Sequence, residues 1–138
     1  MKNTRVATVL VLLMIWGSSA FAQLYEAPKD VIPTLPRFCW PQYMAPLPVG
    51  FDEFIRGCGE YANHYCPGLV NIKVADREKD LGRKMYQLEQ AKGNMEYTLH
   101  YTNDIPDCFL RPHAKANLQL INFKIEMLQN QMKARKRY

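Results

Sequence analysis

"REKDLGRKMYQLEQAKGNMEYTLHYT", residues 77–102, carries the pattern that decides the architecture. Leu81, Met85, Leu88, Ala91, Met95 and Leu99 recur at intervals of four, three, three, four and four. That spacing gathers apolar side chains on one stripe of an amphipathic helix. A helix is therefore expected over 77–102. Gly93 sits inside it at a cost of about 1 kcal/mol relative to alanine and admits a turn near "AKGN". The "TNDIPD" that follows at 102–107 is turn chemistry.

Downstream, Pro112 suits the first position of a last helix over about 112–135. This helix is apolar on two faces. Leu118, Ile121, Ile125, Leu128 and Met132 form one stripe; Ala116, Leu120, Phe123 and Met127 form another. At about 100° per residue the two stripes centre roughly 140° apart. A terminal helix packed on one neighbour needs only one such face, so the second must meet the N-terminal arm, another protomer or a partner.

Upstream, "CGEYANHYCPG", residues 58–68, holds two of the four cysteines. A short helix is expected over 52–63, with Asp52 as N-cap and Phe54, Ile55, Cys58, Tyr61 and Ala62 on one side. Pro67 and Gly68 would end it and open another short helix through "LVNIKVAD". Residues 23–51 read as an arm. Pro28, Pro33, Pro36, Pro41, Pro46 and Pro48 exclude a continuous helix or a central strand there. Yet Phe38, Trp40, Tyr43 and their neighbours make the arm too apolar for a free linker. It is expected to be extended and to lie on the body, tethered by Cys39.

Residues 1–22 have the form of a cleaved signal peptide: a basic start (Lys2, Arg5), an apolar run from Val6 to Trp16, and small residues at Ala20 and Ala22. The run is too short to span a bilayer. Export is expected, to the periplasm or beyond the cell. The domain division is then 1–22 signal peptide, 23–51 arm and 52–138 helical body. The net charge of the whole chain is +5. Basic residues concentrate at the end, in "KARKRY", where they complement the negative pole of a helix. Export argues against nucleic acid as a partner.

Cys39, Cys58, Cys66 and Cys108 are an even number in a short exported chain, which reads as two disulfides. In a helix, residues 58 and 66 would stand about 12 Å apart, too far to bridge. The pairing is then 39 with 58 and 66 with 108, or 39 with 66 and 58 with 108. Zinc or haem would need closer ligand spacings than His64, Cys58, Cys66 and His113 provide, and C-x-x-C-H is absent. No cofactor or metal is expected, and a carrier using His64 and Cys66 is the alternative.

Catalytic motifs are also absent: there is no G-x-S-x-G, H-E-x-x-H, Gly-rich phosphate loop or C-x-x-C. Both serines, Ser18 and Ser19, lie in the signal peptide. Asp104 and Asp107 flank a turn proline and suit turn and cap roles.

The order of helix, helix, turn with Pro106 and helix resembles tetratricopeptide (TPR) repeats over about one repeat. Counted back from Pro106, Leu81 and Gly82 stand where that family places its Leu-Gly pair. Glu78 stands at its usual tryptophan and Asn94 at its usual alanine. The resemblance implies a short helical-hairpin array and a protein-binding role.

The expectation is thus an all-α, disulfide-stapled, non-enzymatic binding or assembly module of the cell envelope. Its partner is a protein or a second copy, with no small-molecule substrate inferred. The expected docking face is Leu120, Phe123 and Met127, with Lys124, Arg135 and Arg137 at its edge. Contact of the basic C-terminus with an anionic membrane surface is the third reading.

Overall fold

The structure, a computed structural model, describes residues 25–44, 57–59 and 63–136. All regular elements among them are helical. Two 3₁₀ segments, Ile32–Thr34 and Arg37–Gln42, precede three α-helices: α1 (Tyr65–Arg77), α2 (Leu81–Tyr101) and α3 (Leu110–Arg135). The signal-peptide reading of 1–22 lies outside the described residues.

Helix α2 starts where Asp80 caps it. Its Oδ1 accepts from the Arg83 backbone N–H at 2.8 Å, satisfying one of the first-turn donors that a helix leaves unpaired. Glu78 accepts from the Asp80 N–H at 2.9 Å and pairs with Arg83. The Asp80 hydrogen bond, chiefly, holds the Glu78 carboxyl below its ordinary range. Both α1 and α3 carry a proline at their third residue, Pro67 and Pro112. First-turn amides have no intrahelical partner, so neither ring breaks its helix.

Helix α2 packs against both α1 and α3, and α1 and α3 also meet directly, Tyr65 with Asn117 and Asp76 with Lys124. This helix-on-helix packing is compatible with a helical-repeat arrangement. The buried side chains of α2 are Leu88, Ala91 and Met95 of the predicted stripe and Thr98 beside it, while Leu81, Met85 and Leu99 of that stripe are half-buried. They meet Val70, Ile72 and Ala75 of α1 and Leu110, Ala114, Ile121 and Leu128 of α3 in one core. Buried Thr98 and Thr102 donate to the carbonyls four residues back, those of Asn94 and Thr98. The α2–α3 turn is closed by Arg111, whose Nη1 donates to the Leu99 carbonyl.

No turn forms at "AKGN": α2 runs unbroken through Gly93, so residues 81–101 are one helix and not a helix pair. A Cβ added at Gly93 meets nothing within 4 Å. Gly93→Ala should therefore stabilise the protein by about 0.5–1 kcal/mol. Gly68 is the opposite case. Its missing Cβ lets α1 approach α2, and an added one would stand 2.7 Å from Met95 Cε and 3.2 Å from Asn94 Cβ. Met95 is fully buried and has little room to move. Gly68→Ala should cost about 1–3 kcal/mol. Paired urea titrations check both signs.

The expected helix over 52–63 is not continuous. Residues 57 and 58 form a turn and Gly59 has φ +77°, a left-handed conformation that ends any helix there. Residues 52–56 and 60–62 lie outside the described residues. Nor is the described arm extended. Its prolines sit within or beside 3₁₀ turns, whose φ near −65° proline already has. The arm doubles back so that the Tyr25 N–H reaches the Gln42 carbonyl at 3.1 Å. Val31, Leu35 and Cys39 enter the same core as the helices. Phe38 lies between Tyr65 and Phe109, at ring separations of 6.1 and 5.4 Å. Asp30 is paired with Arg77.

Candidate functional site

The four cysteines are all bonded. Cys39 joins Cys66 with Cα atoms 5.5 Å apart, and Cys58 joins Cys108 at 4.6 Å. Of the two pairings open from sequence, the structure selects this one, with a physical reason. The arm's second 3₁₀ segment lies on the first turn of α1, while the turn at residues 57–59 lies against Ile105 in the turn before α3. Such bonds belong to an oxidising environment and are consistent with export. No helix among the described residues is long and apolar enough to cross a membrane.

The carrier alternative loses one of its two ligands. The Cys66 sulfur is bonded to Cys39 and offers no thiolate. His64 Nδ1 lies 2.8 Å from Asn94 Oδ1, an oxygen that only accepts, so this nitrogen carries the proton and donates. The His64 ring stacks on Tyr97 at 3.8 Å.

His64 opens a polar ladder that the sequence reading missed. Asn94 Nδ2 donates to Asn71 Oδ1 at 3.1 Å, and Asn71 Nδ2 to Gln87 Oε1 at 2.7 Å. His64 and Asn71 are seven residues apart, as are Gln87 and Asn94. Two polar positions at that spacing on each of two adjacent helices are the signal that could have found them. A half-buried, mutually satisfied network of this kind fixes the register of α1 on α2.

The second apolar stripe of α3 is exposed to solvent. Leu120 is 44% exposed, Phe123 58% and Met127 56%, whereas Ile121 and Leu128 on the opposite side of α3 are buried. The described arm packs against α1 and Phe109 and leaves this stripe uncovered. Lys124 lies beside the stripe, its Nζ 2.5 Å from Asp76 of α1. Arg135 is exposed at the end of α3 with Lys133. Arg137 lies outside the described residues. Helix α3 carries Arg111, Lys115, Lys124, Lys133 and Arg135 against Glu126 alone.

Where the arm meets α1, two phenols are pushed up. Burial, and then the nearby Tyr25, raise Tyr43 far above its ordinary value. Its hydroxyl has no hydrogen-bond partner among the described residues. Burial also raises Tyr65, against a lowering hydrogen bond from Asn117. Unfolded, both titrate near about 10. Above that pH the unfolded chain has released protons that the folded one keeps. Stability is therefore full below about pH 10 and falls as pH rises toward the folded values. Thermal melts should show this alkaline fall, and a Tyr43→Phe, Tyr65→Phe double variant should show less of it.

No protein-family model matches this chain, and no curated protein or solved structure matches it. No group of three or more His, Cys, Asp or Glu among the described residues is placed to hold a metal ion.

Proposed function

We propose that this chain is a small exported, non-enzymatic binding or assembly module of the cell envelope, periplasmic or secreted. It docks a protein partner, or a second copy, through the back of α3. One observation carries the reading: Leu120, Phe123 and Met127 stand exposed in a row on a helix whose other face is core. Large apolar side chains gathered in one exposed stripe mark interaction surfaces more often than scattered ones do. The basic residues at the end of α3 favour an acidic partner through long-range attraction. The tetratricopeptide likeness around Leu81, Gly82 and Pro106 supports a binding role by analogy alone.

The test is Phe123→Asp in the oxidised protein. Helix content and melting temperature should stay near wild type, because the side chain is more than half exposed. Sedimentation and pull-down from native envelope should show loss of self-association or of a bound protein. An unchanged assembly state together with an unchanged set of bound proteins would sink the reading. If the variant instead loses association with phosphatidylglycerol vesicles, in a salt-sensitive way, the face serves a membrane surface.

A further inference from the structure

Another surface of the molecule has a different chemistry. A groove of about 460 Å³ opens between the end of α1, the first half of α2 and the second half of α3. This size lies within the range of about 300–1,000 Å³ usual for small-molecule sites. Ala75, Leu88, Leu128 and Met127 contribute hydrocarbon to its lining. Its charged groups are Asp76, Lys124 and Lys84. Asp76 and Lys124 neutralise each other across the groove, from α1 to α3. Lys84 has neither an ion-pair nor a hydrogen-bond partner for its ammonium among the described residues, although it is half-buried. The groove therefore holds one unmatched positive charge beside an apolar floor.

We propose that this groove binds a single-chain anionic amphiphile, of which a fatty-acid carboxylate is the simplest. The carboxylate pairs with Lys84, and the chain lies along Leu88, Leu128 and Met127. One carboxylate balances the one unmatched ammonium, and a charge-assisted pair over a partly desolvated floor is stronger than the same pair in open water. The bridge of Asp76 and Lys124 interrupts the groove. A partner helix, about 10–12 Å across with its side chains, needs an open trough; a single alkyl chain does not. The inference is independent of the docking stripe except that Met127 borders both.

Calorimetric titration of the oxidised full chain with octanoate, decanoate and dodecanoate, each below its micelle concentration, tests it. One-to-one binding should tighten by about fourfold per added methylene until the chain outgrows the groove. Lys84→Gln should weaken dodecanoate binding by about tenfold. Lys84→Glu should reverse the preference toward dodecyltrimethylammonium. Phe123→Asp, beyond the groove, should leave dodecanoate affinity unchanged, so failure of the docking reading and failure of this one are separable. Three results overturn the proposal: wild type binding dodecyltrimethylammonium as tightly as dodecanoate, Lys84→Gln leaving the dodecanoate affinity intact, or binding to phosphatidylglycerol vesicles without binding of monomeric dodecanoate. Circular dichroism of both Lys84 variants should match wild type, since among the described residues the side chain caps no helix and no ion pair holds it.

Discussion

Replacing Cys58 and Cys108 together by serine is expected to lower stability by about 4 kcal/mol. The bond closes a loop of 50 residues, and the chain-entropy relation gives about 4 kcal/mol for a loop that long. The same relation gives about 3.5 kcal/mol for the 27-residue loop closed by Cys39 and Cys66. Either loss is large beside the roughly 5–15 kcal/mol that holds a small domain folded. The two should also differ in kind. Losing the Cys39–Cys66 bond leaves the arm held by the packing of Val31, Leu35 and Phe38 and by the exposed pair of Asp30 with Arg77. Losing the Cys58–Cys108 bond frees the segment before α1 from the turn that leads into α3. Urea midpoints of the two double variants check the sizes, and limited proteolysis of the arm checks the difference. A loss below about 1 kcal/mol for both would mean that the unfolded chain is already constrained without them.

Ile121→Ala should cost about 2–5 kcal/mol, and Phe123→Ala, two residues along the same helix, no more than about 0.5 kcal/mol. Ile121 is fully buried in the core, where truncation leaves a cavity. Phe123 points to the opposite side and loses little on truncation. Composition would suggest the reverse order, because phenylalanine is the larger side chain. Equal costs in chemical denaturation would mean that the back of α3 is core, and the docking reading would fall with it.

Much of the helical layer was legible in the sequence, because a 3.6-residue period survives in the order of the residues. The stripe through Leu88, Ala91 and Met95 and the two faces of α3 are local patterns of that kind. The choice between disulfide pairings was not legible. It depends on where the arm and the turn at residues 57–59 lie, and no local period encodes that. The break at Gly59 was hidden because glycine leaves φ open, and its neighbours suit a helix. The arm's 3₁₀ turns were read as extended chain, since proline's fixed φ serves both conformations. The groove was missed for another reason. Asp76, Lys84 and Met127 come from three helices, and each alone looks like an ordinary surface residue. The stripe at Leu120, Phe123 and Met127 was found because all its members lie on one helix.

The placement of the two disulfides also has a mechanical side. The ladder pairs His64 with Asn94 and Asn71 with Gln87, so α1 and α2 run antiparallel. The bonds from Tyr65 to Asn117 and from Asp76 to Lys124 show α3 running in the direction of α1. Cys66 in the first turn of α1 and Cys108 just before α3 therefore sit at the same pole, and both covalent ties are there. At the other pole the Asp80 cap, the pairing of Glu78 with Arg83 and the bridge of Asp76 and Lys124 hold the helices by non-covalent contacts. The layer is built like a beam clamped at one end. Its compliance should grow toward the free end, and amide exchange along α3 should quicken from Ala114 to Gln131. The disulfides thus secure the start of that helix covalently and leave its last turns to packing and charge.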